Sequence, residues 1–187
     1  MKDIQSIIDE HAKRVDKRTS VFEIDVQRET DHSLTLSGRL LDASQLDDLQ
    51  HLFPSHSLDT TSVRILSSTR HRTGHVATNL TGLYERPTFG LPLSSELYFG
   101  TELEILDEEK NWAFTRQHDG YLGWVYRSYL SDGLLLKATH LVTAPVVELR
   151  AAANSSSEII TRVVSGTGVI VEETQNEWSC VSANRSG

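Results

Sequence analysis

Few residues in this chain could do chemistry, and they are scattered. Cys180 is the single cysteine and therefore the only possible thiol nucleophile. A catalytic thiolate needs a nearby histidine base, and usually a helix N-terminus that lowers the pKa of the thiol. The sequence around Cys180 offers neither, and the residue follows Trp178 at strand spacing. We therefore expect Cys180 to be a small buried residue.

Two histidines have a spacing that could suit a metal. On a helix, His71 and His75 would lie on one face. They belong to the polar stretch Ser67–His75, where Gly74, Thr69 and Thr73 disfavour a helix, and no cysteine or carboxylate completes a ligand set. We expect a solvated linker here, and neither a metal nor another cofactor.

Other catalytic patterns do not occur in the sequence. There is no serine elbow, phosphate-cradling loop or zinc spacing, and the acidic pair Asp47-Asp48 and the run Asp107–Glu109 are typical of a helix face and a turn. We therefore place no catalytic residue within these 187 residues.

Bulk composition narrows the functional class. The net charge is −8 and the isoelectric point about 5.4, which excludes the basic surface that nucleic-acid binding requires. No signal peptide or membrane span is visible, so we expect a cytoplasmic protein without membrane contact. A trimmed N-terminus would look the same, which leaves an extracellular location open.

The chain repeats itself. Shifted by 66 positions, residues Val76–Thr115 align with Val142–Val181 without a gap. The identical pairs include Leu83 with Leu149, Gly100 with Gly166, and Trp112 with Trp178. Both copies contain short alternating stretches bounded by turn residues, which is typical of small all-β barrels. Two copies of one small unit suggest a binding or positioning device.

The first 68 residues have a different pattern. Apolar residues at helical spacing predict a helix over residues 3–15, and period-two alternation predicts two strands joined as a hairpin at Glu29–Asp31. Asp42 and Gln45 form a variant capping box for a second helix that ends at Pro54, and Val63 and Ile65 indicate a last strand. The predicted order is α-β-β-α-β.

This order, with Leu34–Gly38 before a capped helix, resembles the BON domain. The resemblance implies contacts with phospholipid surfaces or with proteins of the cell envelope. The usual glycine-valine step before the last strand is replaced here by Pro54–Asp59.

The two repeats resemble the bacterial SH3-like domain. The residues that carry the resemblance are Leu83–Pro87, Gly100, Trp112 and Gly123–Val125 in the first copy, and Glu148–Arg150, Gly166 and Trp178 in the second. The expected fold is thus multidomain: a BON-like α+β domain over 1–68, a linker over 69–75, and two all-β SH3-like barrels over 76–136 and 137–187.

The second barrel stops before its counterpart of Gly123–Val125. We expect it to lack its last strand, and to be less ordered than the first barrel or to pair with a neighbouring chain. We also expect the chain to be part of a longer protein.

Tandem barrels of this kind resemble those that precede NlpC-type, papain-like cysteine peptidase domains. The resemblance to γ-D-glutamyl-diaminopimelate endopeptidases implies that an acidic residue and a tyrosine of the first barrel hold the free amino terminus of a muropeptide. The matching positions are Glu85 and Tyr121. Tyr84, Phe89, Tyr98 and Phe99 give only the first copy an aromatic group, so we add Tyr84 to the substrate-binding candidates.

The preferred hypothesis is therefore the non-catalytic substrate-recognition region of a cell-wall peptide hydrolase. Its expected partners are a muropeptide and a C-terminal peptidase domain. The alternative is a free-standing interaction protein whose barrels bind cell-wall or proline-rich peptides and whose BON-like unit contacts lipid or another protein. An enzyme complete within these residues would need a nucleophile, and only Cys180 is available.

Overall fold

The computed structural model describes residues 3–68, 72–90, 92–132 and 138–182. The chain forms two compact units. The first comprises Met1–His71 together with Gly120–Leu122, and the second comprises Arg72–Asp119 and Gly123–Gly187. Among the described residues, no helix is both long and apolar enough to cross a membrane.

The first unit confirms the predicted element order. Its elements are α1 (Ile4–Ala12), β1 (Phe22–Glu29), β2 (Ser33–Leu40), α2 (Gln45–Leu52), β3 (Ser57–Ile65) and a 3-10 turn at Leu66–Ser68. The sheet order is β1-β2-β3, with β1 and β2 antiparallel and β2 and β3 parallel. Helix α1 is shorter than expected and ends at Ala12.

Alternation along β1 and β2 builds the core of the first unit. Every second side chain faces the helices, and the buried set consists of Ile8, Phe22, Ile24, Leu34, Leu36, Leu40, Leu49 and Phe53. Gln45 fixes the start of α2, because its Oε1 accepts the N–H of Asp42 at 2.9 Å and its Nε2 donates to the Val21 carbonyl at 3.1 Å. This is the glutamine half of the predicted capping box.

The first repeat is a seven-stranded sheet. Its strands are β4 (Arg72–Val76), β5 (Leu80–Tyr84), β6 (Leu93–Tyr98), β7 (Glu102–Glu109), β8 (Trp112–Arg116), β9 (Leu122–Tyr126) and β10 (Leu130–Ser131), with a 3-10 turn at Arg127–Tyr129. The order is β10-β4-β7-β8-β9-β5-β6, so β9 lies between β8 and β5. Leu83, Leu97 and Val125 are fully buried.

The second repeat forms two smaller sheets. Its strands are β11 (His140–Leu141), β12 (Val146–Arg150), β13 (Ile159–Val164), β14 (Gly168–Gln175) and β15 (Trp178–Ser182). The order is β11-β14-β15 in one sheet, and β12 pairs with β13 in the other. The Thr161 hydroxyl donates to Oδ1 of Asn79 at 2.9 Å and links this repeat to the first.

The 66-residue repeat holds at the level of single hydrogen bonds. Shifted by 66 positions, β5 through β8 fall on β12 through β15 end to end. The N–H of Gly100 donates to the Val76 carbonyl at 2.8 Å, and that of Gly166 donates to the Val142 carbonyl at 2.8 Å. The two glycines have φ values of 80° and 88°, in the left-handed region that favours glycine. The sequence repeat is therefore a structural repeat.

Burial distinguishes the two copies and corrects one expectation. Cys180 is exposed, not buried as predicted. Its counterpart Phe114 packs on Trp124 of β9 with ring centroids 5.1 Å apart. Among the described residues of the second repeat, no strand corresponds to β9. Trp178 is half-buried, whereas its counterpart Trp112 and the Trp124 of β9 are buried.

The predicted linker is wrong over residues 72–75. Arg72–Val76 is β4, which pairs with β7 and β10, and the His75 side chain is only 4% exposed. Gly74 is a packing residue, because a Cβ there would lie 3.1 Å from Cδ1 of Ile105. His71 lies outside the described residues. Within the described ranges, no group of three potential ligands that includes His75 could hold a metal.

Burial also makes His75 a pH-sensitive element. It lowers the pKa of His75 below the ordinary value of 6.5, although the nearby carboxylates of Asp132 and Glu102 act in the opposite direction. The folded protein then binds fewer protons at His75 than the unfolded chain does. Its stabilising contribution is complete above pH 6.5 and is lost as the pH falls below that value.

When the pH is lowered from 7.5 to about 5.5, the unfolding free energy of the His75→Gln variant should fall by less than that of the unaltered protein. Urea unfolding at both pH values measures this, with His118→Gln as the control because His118 is exposed in the same unit. If both variants keep the unaltered pH dependence, His75 is not its source.

A close approach of β5 and β9 gives a second prediction. A Cβ on Gly123 would lie 2.6 Å from Cγ of the fully buried Leu83. Gly123→Ala should therefore cost about 1–3 kcal/mol of unfolding free energy through overpacking, and Leu83→Ala about 2–5 kcal/mol through a cavity. In the double variant the new methyl group occupies part of that cavity. The double variant should therefore lose less unfolding free energy than the two single variants lose in sum. Strict additivity in a double-mutant cycle would contradict the packing.

Candidate functional site

Five aromatic rings gather on one face of the first repeat. They are Tyr84 at the end of β5, Phe89 in the loop before β6, Trp112 at the start of β8, Tyr126 at the end of β9, and Tyr129 in the 3-10 turn. We call this set the aromatic cluster. Strand alternation explains its position, because Tyr84 points away from the core that its neighbour Leu83 enters.

Phe89 is the central ring of the cluster. Its centroid lies 4.9 Å from that of Trp112, 5.2 Å from that of Tyr126, 5.9 Å from that of Tyr84 and 6.2 Å from that of Tyr129. The Phe89 side chain is nevertheless 55% exposed, whereas Trp112 beneath it is 9% exposed. The cluster is therefore a supported apolar surface that remains open to a ligand.

The remaining rings brace one another edge to face. The Trp112 centroid lies 5.6 Å from that of Tyr84 and 5.5 Å from that of Tyr126, with interplanar angles of 85° and 72°. Tyr126 and Tyr129 are 5.3 Å apart at 71°. Aromatic rings favour such T-shaped pairs, which fix their orientation before any ligand binds.

A group of charged side chains holds the turn that carries Tyr129. Arg127 donates from Nε to Glu108 at 2.8 Å and from Nη2 to Asp132 at 2.5 Å, and Arg72 contacts the same two carboxylates. The N–H of Arg127 also donates to the Asn111 carbonyl at 2.7 Å. Glu108 raises the pKa of Arg72, which keeps that guanidinium charged. Arg127 thus positions the 3-10 turn next to the cluster.

Of the predicted binding residues, Tyr84 and Glu85 lie at this surface. Tyr84 is a half-buried member of the cluster, and Glu85 follows it as an exposed residue. The N–H of Glu85 donates to the Pro92 carbonyl at 3.4 Å and closes the loop that carries Phe89. Among the described residues, the Glu85 carboxylate forms no ion pair or hydrogen bond, so it can accept a hydrogen bond from a ligand.

Tyr121 occupies a different position. It is half-buried, immediately precedes β9 and is grouped with the first compact unit. Because Tyr84 pairs with Trp124 in antiparallel strands, the end of β5 and the start of β9 lie at the same end of the sheet. Joint binding by Glu85 and Tyr121 stays a prediction.

The predicted aromatic group is only partly present. The structure brings Tyr84 and Phe89 together, whereas Tyr98 and Phe99 make no ring contact among the described residues. Tyr126 and Tyr129 belong to the cluster and were missed. The available signal was their position, because Tyr126 directly follows Gly123–Val125 and Tyr129 lies three residues further on.

Among its described residues, the second repeat has no equivalent cluster. Arg150 stands at the position of Tyr84 and Ser155 at that of Phe89. The Arg150 guanidinium binds the Glu148 carboxylate and the Ser157 carbonyl, the latter at 2.7 Å. Arg162 and Arg150 lower the pKa of Glu148 by hydrogen bonding to it. This surface is polar and internally satisfied.

The exposed Cys180 of β15 lies opposite Glu173 of β14. This pairing supplies no histidine base, which an activated thiol nucleophile uses.

Comparison with known families matches both repeats. Residues 83–130 match the bacterial dipeptidyl-peptidase SH3 domain, and residues 145–187 match the bacterial SH3 domain. The chain carries two bacterial SH3 domains. No curated protein matches the chain. The family matches begin at residue 83, so the BON resemblance of the first segment stays a prediction.

The charged group around Arg127 can be tested in the first SH3 domain. Its members are partly exposed, so Arg127→Gln should lower the unfolding free energy by up to about 1 kcal/mol. The loss should shrink in about 1 M salt, because screening weakens the unaltered ion pairs. Arg86→Gln, an exposed arginine of the same domain, is the control. An equal, salt-independent effect of both variants in urea unfolding would contradict this role.

Proposed function

We propose that the first SH3 domain binds a peptide on its aromatic cluster. The observation that carries this proposal is a braced but open ring surface, centred on Phe89 and flanked by the exposed carboxylate of Glu85. On this proposal the chain is the substrate-recognition region of a γ-D-glutamyl-diaminopimelate cysteine endopeptidase that acts on muropeptides. Catalysis would belong to a C-terminal peptidase domain.

The apolar and the polar parts of this surface would contact different parts of the peptide. Rings at fixed orientation offer contact area at a low cost in side-chain entropy, so they suit the stem of a short peptide. A single carboxylate at the edge suits the ammonium group of an amino terminus, and a charge-assisted hydrogen bond orients it. The Tyr84 hydroxyl would add a directional hydrogen bond.

The matched family supports recognition of an amino terminus. Its description names dipeptidyl-peptidases, which by definition release dipeptides from the free end of a peptide. A domain that recognises the free ammonium group would select short released peptides over intact cell wall. We place this work in cytoplasmic muropeptide recycling.

The alternative function is a free-standing interaction protein. Aromatic-lined grooves also bind proline-rich segments in the polyproline II conformation, which need no free amino terminus. Lipid contact by the first unit is less favoured, because a net charge of −8 gives no attraction to anionic headgroups.

Binding of synthetic peptides to the 187-residue chain separates the two functions. We expect L-Ala-γ-D-Glu-diaminopimelate with a free amine to bind, and its N-acetyl form to bind far more weakly. Glu85→Gln should lower the affinity for the free amine by about tenfold to a hundredfold, the value of one hydrogen bond to a charged group. Titration calorimetry measures both.

Two variants serve as controls. Glu96→Gln removes an exposed carboxylate from β6 of the same domain and should leave the affinity unchanged. Phe89→Ala removes the central ring and should weaken every peptide that uses the cluster. If acetylated and proline-rich peptides bind as well as the free amine and Glu85→Gln has no effect, the interaction-protein function is correct.

A further inference from the structure

Arg86 is an exposed cation next to Glu85, and the proposed function does not use it. The other arginines of residues 72–132 form ion pairs with carboxylates of the same domain; they are Arg72, Arg116 and Arg127. Among the described residues, the Arg86 guanidinium forms no ion pair or hydrogen bond, not even with its neighbour Glu85. Both opposite charges are therefore available to a ligand.

The loop that carries the two charges is ordered by its own backbone. The N–H of Thr88 donates to the Arg86 carbonyl at 2.7 Å, which closes a three-residue turn with Pro87 at its centre. The proline ring fixes the φ angle at that central position. Phe89, the central ring of the aromatic cluster, follows directly. The order of carboxylate, guanidinium and ring is thus held on one constrained segment.

We propose that Arg86 binds a free carboxylate on the residue after the ligand's amino terminus, and that it thereby selects peptides with a γ-linked glutamate in the second position. This inference rests on the proposed function, because it concerns the same ligand. Arg86 would be a specificity-determining residue of that site.

A γ-linked glutamate supplies such a carboxylate through its bonding. Its side-chain carboxyl forms the next peptide bond, so the α-carboxylate stays free and charged. Because an extended residue spans about 3.3–3.6 Å, this carboxylate lies roughly 6–7 Å from the terminal ammonium. Two long side chains on consecutive Cα atoms, about 3.8 Å apart, can contact both groups. In an α-linked glutamate the free carboxylate lies two methylene groups further from the backbone.

Charge complementarity favours Arg86 for this contact. A ligand carboxylate close to the bound ammonium also lies close to the Glu85 carboxylate, and the two like charges repel. A guanidinium on the adjacent residue offsets that repulsion, and its planar fork can donate two parallel hydrogen bonds to a carboxylate.

Two peptides that differ in one group test the inference on the 187-residue chain. One is L-Ala-γ-D-Glu-diaminopimelate, and the other carries a carboxamide in place of the glutamate α-carboxylate. In titration calorimetry the carboxamide form should bind the unaltered chain about threefold to tenfold more weakly, because the lost contact is charged but exposed. Arg86→Gln should weaken the carboxylate form by the same factor and leave the carboxamide form unchanged.

Two further variants show whether the effect belongs to this guanidinium. Arg28→Gln removes an exposed arginine from the first unit and should leave both affinities unchanged. Arg86→Lys keeps the charge without the planar fork, so it should keep part of the preference for the carboxylate form.

The inference and the proposed function fail in different ways. If the unaltered chain binds both peptides equally while Glu85→Gln still weakens binding, the carboxylate contact is wrong and the amine contact stands. An equal loss of both peptides in Arg86→Gln also overturns the carboxylate contact. If acetylation of the amino terminus has no effect but Arg86→Gln removes the difference between the two peptides, the carboxylate contact stands and the amine contact is wrong. Absence of binding by either peptide overturns both.

Discussion

The structure of the second unit depends on the insertion of one strand. β9 enters between β8 and β5, and it fits only because Gly123 carries no side chain where it crosses Leu83. That insertion joins the strands of the first repeat into one sheet and buries Leu83 and Val125 completely. The second repeat shows the same flanking strands without such an insertion among its described residues, and there the sheet is divided.

The same strand links the core to the proposed binding surface. Val125 enters the core, while its neighbour Tyr126 faces the other side and joins the aromatic cluster. Stability and recognition are therefore built from alternate residues of one short segment. This explains why the aromatic cluster is rigid although its central ring is exposed, since each supporting ring is fixed by a core residue beside it.

The elements that depend on short-range sequence patterns could be predicted from the sequence. Period-two alternation and the repeated glycines gave the strands of both repeats, and the element order of the first unit follows from its two helical stripes and its hairpin. It did not predict that polar residues 72–75 form a strand, because their partners β7 and β10 are distant in the chain. Tyr126 and Tyr129 were missed for the same reason: strand pairing over long separations assembles the cluster. The burial of Cys180 was predicted from the alternation along its own strand, whereas its exposure depends on which strand lies beside it.

The pairing of β4 with β10 has a consequence for synthesis of the chain. Val76 lies opposite Leu130, so β4, which also pairs with β7, gains its second partner only after the last strand of the repeat has left the ribosome. By then the ribosome is making a second set of strands with the same register. Until β10 docks, β12 or β14 is a geometrically equivalent partner for strands of the first repeat. Tandem copies this similar therefore compete for one another's strands during translation, and domain-swapped misfolding is the error to which this architecture is exposed.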